Sequence, residues 1–301
     1  MGQKAPPASR AIRGLPTYDL IRDGRPPIPV SGDRIVQRAA IALLAVLALL
    51  AAGRTSPAGA ELPPVSSPTP TVSVPAASSD LSSVVQRYVD AIGGRELLGK
   101  IHSSIIVYSV KLMGRELLVT TTTKNPVYFL QVTRIRGTSG QLSVGFDGKT
   151  AWLQQANGVV HVMTGQDRAE LISDAVGAND SEIFTDRWPT TVTLKPSENV
   201  NGKTYAVLSI KAKGGISHDI FLDPQTYQPA IERTATTAVT SVTVVDTFDK
   251  GPLGELLPRV TTTTRSDGFP PTTASLRSID DNANVSNSIF APPLGKGSET
   301  I

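Results

Sequence analysis

The chain has 301 residues, no cysteine and a net charge of +3 at neutral pH. Without cysteine it has no disulfides, no thiolate catalysis and no zinc site built on thiolates. The positive excess lies in residues 1–60, which hold eight basic and three acidic residues, whereas residues 61–301 hold 21 basic and 23 acidic ones. The larger part therefore lacks the positive charge that attracts phosphates, and we expect no nucleic-acid partner.

An apolar run, Ala39–Gly53, follows Arg34 and Arg38 and precedes the small residues 58–60. This order of positive charge, apolar side chains and small residues is typical of an export signal. As a helix the run spans roughly 22 Å, less than the roughly 30 Å core of a bilayer, which favours a cleaved signal over a membrane anchor. Both interpretations predict a periplasmic or otherwise extracytoplasmic protein, held at the inner membrane by residues 39–53 if the run is not cleaved.

Residues 61–79 are rich in Pro, Ser and Thr and almost free of charge. Proline removes amide donors and favours extended backbone, so this stretch predicts a linker. Residues 294–301 predict a flexible tail. We therefore expect a leader over 1–60, a linker over 61–79 and one folded domain over 80–293.

The domain begins with its clearest helix. Asp80 is a suitable N-cap, and Gly93-Gly94 predicts the end of the helix. Six apolar residues between them recur at helical spacing: Leu81, Val84, Val85, Tyr88, Val89 and Ile92. This spacing gives the helix one apolar face, which must be buried against another element.

Ten to twelve short runs rich in Thr, Val and Ile follow, joined in several places by turn pairs such as Asp147-Gly148 and Asn201-Gly202. Two segments with helical patterns, Gly165–Ala178 and Asp180–Trp188, interrupt these runs. The pattern predicts a mainly β, α+β domain. We expect a large curved antiparallel sheet, or open half-barrel, of about eleven strands with helices plugging its concave side.

Four stretches carry a family resemblance: the helix end YVDAIGG, the strand segment GFDGKTAW, VNGKTYAVLSI, and the terminal NANVSNSIFAPP. Together with the helical insert they resemble the periplasmic LolA/LolB-type lipoprotein-carrier superfamily, in particular its outer-membrane-lipoprotein-sorting relatives. The resemblance covers about residues 80–293. It implies an open half-barrel with an apolar cavity for acyl chains, and hence a lipid or a lipidated protein as partner. None of the residues by which the carriers release their cargo is matched here.

A lipid cavity requires apolar side chains from several elements on one face. Alternation along two predicted strands and the apolar residues of the helical segments supply candidates. The predicted ligand-binding residues are Ile106, Tyr108, Val110, Tyr128, Leu130, Val132, Leu171, Ile172, Ile183, Phe184 and Trp188. An ordinary filled core would give the same pattern, so both interpretations stay open at this point.

Residues that carry chemistry are sparse. His102, His161 and His218 fall in three different elements without metal-ligand spacing, and each is expected at the surface or at a strand edge. Asp280-Asp281 is expected in a solvated loop, since adjacent side chains of a strand diverge. No nucleophile elbow or phosphate-binding glycine loop is present. The sequence predicts no catalytic residues, no metal site and no cofactor.

Two threonine tracts, Thr120–Thr123 and Thr261–Thr264, precede Lys124 and Arg265. Threonine suits strands on either face, so the tracts fit ordinary sheet structure. Alternatively their hydroxyls line the wet rim of a cavity, with Lys124 and Arg265 as charged rim groups.

Three functions remain in order of preference. The first is a monomeric, non-catalytic carrier or sensor of the cell envelope that holds acyl chains, with the membrane surface as a further contact. The second is an envelope interaction module whose core is filled by its own helices, and the third is an exported hydrolase.

Overall fold

The computed structural model describes residues 80–293 and 298–300, so the expected leader with its apolar run 39–53, the linker 61–79 and residues 294–297 and 301 lie outside the described residues. No helix of the described part is long and apolar enough to span a membrane. The helices are α1 (Leu81–Ala91), α2 (Arg95–Gly99), α3 (Gly165–Gly177) and a 3-10 helix (Asn287–Phe290).

Fourteen strands make up the rest of the described regular structure. They are β1 (Ser103–Leu112), β2 (Arg115–Lys124), β3 (Tyr128–Ile135), β4 (Gln141–Phe146), β5 (Ala151–Gln154), β6 (Val160–Val162), β7 (Thr190–Val200), β8 (Lys203–Ala212), β9 (Ser217–Leu222), β10 (Pro229–Ala235), β11 (Thr240–Lys250), β12 (Leu256–Arg265), β13 (Thr272–Asp281) and β14 (Ser298–Thr300).

All fourteen strands belong to one sheet in the order β14-β6-β5-β4-β3-β2-β1-β13-β12-β11-β10-β9-β8-β7. The chain starts at the middle of the sheet with β1 and reaches one side with β6. It then crosses to the opposite edge at β7 and returns to the middle, where β13 pairs with β1. Every pair is antiparallel except β14 with β6. The sheet is not closed, because its two edge strands, β14 and β7, do not pair with each other.

Helix α3 lies in the connection between β6 and β7 and shows that the sheet is strongly curved. It packs against β4 and β5, which lie toward one end of the strand order, and also against β8, which lies near the other end. Its buried residues Leu171, Ile172 and Val176 share one apolar cluster with Phe146 of β4 and Ala212 of β8. One helix reaches strands that stand nine places apart in the sheet order only if the sheet curls around it.

Helix α1 forms as its sequence predicts. The Asp80 carboxylate accepts hydrogen bonds from the Ser82 and Ser83 amides at 2.6 and 3.4 Å, which caps the helix. The apolar face of α1 packs against β8 and β9 through the buried side chains Val84, Val89 and Leu208, among others. α1 and α3 therefore both lie on the concave side of the sheet.

The predicted fold class, a mainly β, α+β protein with a curved open antiparallel sheet, is confirmed, with thirteen antiparallel strands instead of about eleven. The predicted helix over Asp180–Trp188 is wrong, because this segment forms successive turns. Asp180 has φ of +51°, a left-handed conformation that does not continue a helix. Ser298–Thr300, expected in a flexible tail, pairs with β6.

The free edge β7 is interrupted. Its pairing with β8 shifts register between Lys195 and Glu198, and Pro196 lies within this bulge. The side chains along β7 alternate between half-buried and exposed over its first half.

Gly145 of β4 makes room for a buried tryptophan on the next strand. Gly145 and Trp152 are directly opposite in the β4–β5 pairing, and a Cβ on Gly145 would overlap the Trp152 ring. The ring is 2% exposed, and its indole N–H donates to the Phe290 carbonyl at 2.8 Å. The indole therefore ties the 3-10 helix to the sheet.

We expect Gly145→Ala to lower the free energy of unfolding by about 1–3 kcal/mol, since the added methyl displaces a ring in a packed core. Urea denaturation followed by circular dichroism measures the loss. Gly140→Ala is the matched control, because a Cβ at Gly140 would meet only the Ala156 Cβ, at 3.6 Å. Equal stabilities of the two variants would contradict the role given to Gly145.

Candidate functional site

A cavity of about 340 Å³ lies on the concave side of the sheet. Its walls come from α1, α2, strands β1 to β3 and β9 to β13, and the segment that follows α3. The helices cover this side of the sheet without filling it. A volume of this size is in the range of small-molecule sites in proteins.

Strand register determines which side chains face the cavity. Ile106 of β1 is opposite Thr121 of β2, and Thr121 is opposite Gln131 of β3, so these three share a face. All three line the cavity. Ile105, Thr122 and Leu130 are opposite one another in the same pairings and therefore share the other face.

The apolar part of the lining comes from the helices and from most of the strands that form the walls. It includes Tyr88, Ile92, Leu98, Ile101, Ile106, Tyr108, Val119, Phe129, Ile220, Ile231, Val245, Leu256, Leu257 and Ile279. Tyr108 reaches across β13, where its hydroxyl donates to the Pro258 carbonyl of β12 at 3.1 Å. Burial raises the pKa of Tyr108 to about 12, so its hydroxyl keeps its proton at physiological pH.

A second part of the lining is polar and uncharged. It consists of Ser103, Ser104, Thr121, Thr123, Gln131, Thr234, Ser241, Thr243, Thr261 and Thr263. Several of these groups satisfy one another: the Thr243 and Thr263 hydroxyls lie 2.9 Å apart, and the Gln131 amide donates to Thr121 at 3.4 Å. Alternate residues of both threonine tracts thus line the cavity, mostly as buried groups and not at a wet rim.

Of the eleven predicted ligand-binding residues, only Ile106 and Tyr108 line the cavity. Val110 lies on the same strand face but is buried in a cluster with Leu117 and Ala274. The expected placement of Tyr128, Leu130 and Val132 on this face is wrong, because the pairing turns Phe129 and Gln131 toward the cavity instead. A shift of one residue reverses the face of every side chain in a strand.

The predicted residues of the helical segments pack elsewhere. Leu171 and Ile172 are buried between α3 and the sheet, with Trp188 against the same cluster. Ile183 is buried and Phe184 partly buried in the cluster around α1. The segment after α3 lines the cavity with other residues, which are mostly polar: Ala178, Asn179, Asp180, Glu182 and Arg187.

Arg187 is the arginine of the cavity lining. Its guanidinium donates to Asn125 Oδ1 at 3.2 Å and to the Asn179 carbonyl at 3.1 Å, and it stacks over the Phe184 ring at 4.0 Å. Burial lowers the pKa of Arg187, against the opposing effect of Asp180 and Asp186. These contacts fix the side chain against the segment after α3.

Other charged candidates are also placed differently from the sequence interpretation. His161 and His218 are buried, contrary to the expected surface positions, and exposed His102 lies at the cavity lining. The side chain of Arg265 is 4% exposed and pairs with Asp267, so it is not a solvent-facing rim group. Among the described residues, no three His, Cys, Asp or Glu side chains come together in a metal-binding arrangement.

Asp281 was expected in a solvated loop but ends β13 and lines the cavity. Its neighbour Asp280 is exposed on the other face, as the divergence of adjacent strand residues requires. Asp281 contacts Glu255, which precedes β12 and also lines the cavity. Burial, together with the Asp281 carboxyl, raises the pKa of Glu255 to about 7.

No protein-family model and no curated protein matches this chain. It is similar to the solved structure of a DUF1329 family protein from Desulfovibrio piger, with 13% identity, a TM-score of 0.48, and coverage of 70% of this chain and 97% of that one. A putative outer membrane lipoprotein-sorting protein domain from Vibrio parahaemolyticus has 10% identity and a TM-score of 0.47, with 69% and 94% covered. A LolA superfamily protein from Nitrosomonas europaea has 11% identity and a TM-score of 0.48, with coverage of 69% of this chain and 96% of that one.

Glu170 of α3 is a second buried carboxyl group, and its titration should make the stability of the fold depend on pH. Glu170 is 1% exposed, and burial raises its pKa from 4.5 to about 7, although Gln166 donates a hydrogen bond to it at 2.8 Å. The folded state then holds a proton that the unfolded chain has already lost. Stability from this group is complete below pH 4.5 and is lost as the pH rises through about 7.

We expect Glu170→Gln to raise the free energy of unfolding at pH 8 by on the order of 2–3 kcal/mol at most and to change it little at pH 4. Urea denaturation across this pH range measures the effect. Glu96→Gln is the control, because Glu96 is exposed and pairs with Lys100, which lowers its pKa instead of raising it. If wild type and Glu170→Gln lose stability in parallel from pH 4 to 8, the assignment to Glu170 is wrong.

Proposed function

We propose that this chain is a non-catalytic carrier or sensor that holds acyl chains of a lipid or a lipidated protein in its half-barrel cavity. The observation that carries the proposal is the unfilled volume of about 340 Å³ between the curved sheet and its helices. Its apolar lining is mostly aliphatic, which suits flexible chains better than planar ligands.

The energetics are adequate for a reversible carrier. Burying one methylene group contributes about 0.8 kcal/mol, so ten of them contribute about 8 kcal/mol. Before the costs of immobilising the ligand, this free energy corresponds to a dissociation constant of about 1 μM. A chain bound at this strength is retained and can still be handed on.

The hydroxyl lining is compatible with an apolar occupant. The Thr243 and Thr263 hydroxyls bond each other, and the Gln131 amide nitrogen donates to Thr121, so these groups have partners before a ligand enters. A ligand chain that covers them removes few hydrogen bonds to water that lack a replacement. The competing function, a module filled by its own helices, is less well supported because the helices leave the central volume open.

The proposed setting is the cell envelope. It is supported by the order of basic residues, apolar run and small residues at positions 34–60. The mildly acidic remainder of the chain gives no support to a nucleic-acid partner. We propose a monomer whose ligand comes from, or returns to, a membrane surface.

Ile106 and Ile105 offer a matched test of the cavity. Both are half-buried neighbours on β1, but only Ile106 lines the cavity, whereas Ile105 is opposite Thr122 on the other face. We expect Ile106→Trp to weaken binding of a fluorescent fatty acid at least tenfold, since the indole occupies the space of the chain. Ile105→Trp should stay within twofold of wild type.

The measurement is a fluorescence titration of the purified full chain, with mass spectrometry of its organic extract for co-purified lipid. Thermal unfolding of both variants shows whether they remain folded. The proposal fails if wild type binds no fatty acid and yields no lipid. It also fails if the two folded variants bind equally well.

A further inference from the structure

Two carboxyl groups meet in the wall of the cavity. Glu255 lies in the short loop between β11 and β12 and is 3% exposed, and Asp281 lies at the end of β13. Each belongs to the cavity lining, and the two side chains interact directly. The two groups come from separate elements, so the tertiary fold brings them together.

The surrounding backbone is built to hold the Glu255 carboxylate. A Cβ on Gly251 would overlap this carboxylate, so glycine leaves the space that the group occupies. The Leu253 amide donates to Glu255 Oε2 at 3.1 Å, and the Leu256 amide donates to the Ile92 carbonyl of α1 at 2.9 Å. The Leu253 amide therefore holds the Glu255 carboxylate, and the bond from Leu256 to Ile92 fixes the backbone that follows Glu255.

The pair leaves two acceptor atoms without a donor. Asp281 Oδ1 accepts from the Ser104 hydroxyl at 2.6 Å. In the described part of the chain, Glu255 Oε1 and Asp281 Oδ2 are both buried and have no hydrogen-bond partner. Buried carboxylate oxygens without a donor are costly unless a proton or a cation compensates them.

Most of the charged residues in the cavity lining are acidic. The lining contains six acidic residues, Asp174, Asp180, Glu182, Glu232, Glu255 and Asp281, against Arg187 and His102. Arg187 is directed to Asn125 and the Asn179 carbonyl. None of the ion pairs found between described residues includes Glu255 or Asp281. An incoming positive charge is therefore favoured at the pair.

We propose that the ligand of this cavity is a cationic amphiphile, an alkyl chain with a primary ammonium group that donates hydrogen bonds to Glu255 and Asp281. This inference rests on the proposed function, because the chain must occupy the apolar part of the same cavity. An ammonium group has three donors and no acceptor, which suits two neighbouring carboxyl groups with unpaired oxygens. The alkyl chain then extends along Ile106 and Ile279 of the lining.

Protons and the ammonium group compete for the pair. Burial and Asp281 raise the pKa of Glu255 to about 7, so the pair carries an extra proton in mild acid and loses it above neutrality. An alkylammonium, like a lysine side chain with a pKa of about 10.4, stays charged throughout this range. Binding of the cation should therefore strengthen as the pH rises through 7.

A series of twelve-carbon ligands tests the inference on the full chain: dodecylamine, 1-dodecanol and dodecanoate, each competing with a fluorescent acyl probe below its micelle concentration. At pH 8 we expect dodecylamine to bind at least tenfold more tightly than dodecanol, and dodecanoate to bind more weakly than either. At pH 5.5 the advantage of the amine over the alcohol should fall several-fold.

Glu255→Gln and Asp281→Asn each remove one charge and preserve side-chain shape. In both variants the amine should bind within threefold of the alcohol at pH 8, and thermal unfolding shows whether each variant is folded. Asp280→Asn is the control, because Asp280 is exposed on the opposite face of β13, and this variant should keep the preference of wild type.

The outcomes separate the two proposals. If the wild type binds the alcohol as well as the amine, or if Glu255→Gln keeps the full preference for the amine, the cationic ligand is ruled out and the acyl-binding function stands. If no member of the series displaces the probe and the probe itself does not bind, the proposed function fails as well.

Discussion

The architecture depends on one helix that holds an unclosed sheet in a curved shape. α3 occupies the connection between the two outermost antiparallel strands and packs against β4, β5 and β8 together. The Ser173 hydroxyl also donates to the Ile216 carbonyl at 3.0 Å and accepts from the Ile216 amide at 2.9 Å, which fixes α3 to the turn after β8. Because the chain has no cysteine, these non-covalent contacts hold the concave side open around the cavity.

The local features were predictable from the sequence because they depend on neighbouring residues. Asp80 caps α1, and Asn201-Gly202, with φ of +52° and +83°, joins β7 and β8 as the turn chemistry predicts. The face of β3 was not predictable, since Tyr128, Leu130 and Val132 are more apolar than Gln131 and Thr133 on the other side. Tyr128 instead packs on Phe290, at 5.4 Å between ring centroids. Phe290 lies near the end of the domain in sequence, so no pattern within β3 predicts that it covers Tyr128.

The carboxyl pair was hidden for the same reason. Asp280-Asp281 attracted notice as adjacent residues, but the chemistry lies between Asp281 and Glu255, which meet only when β12 and β13 join the sheet. Glu255 stands in a short loop with nothing in its spacing to mark it. The threonine tracts did carry a signal, because an alternating strand of one residue type must send half of its hydroxyls to each face. Sequence patterns thus predict which strands line this site more readily than they predict which charged residues meet there.

The interrupted edge strand β7 also matters for how an open sheet persists in solution. The free edge of a sheet presents unpaired amide and carbonyl groups that can recruit a strand from another molecule. Here Pro196 removes one donor, and the bulge between Lys195 and Glu198 breaks the regular line of the remaining ones. A neighbouring molecule meets a straight template of only a few residues, too short for stable end-to-end polymerisation. The bulge and Pro196 therefore make the β7 edge a poor template for strand addition.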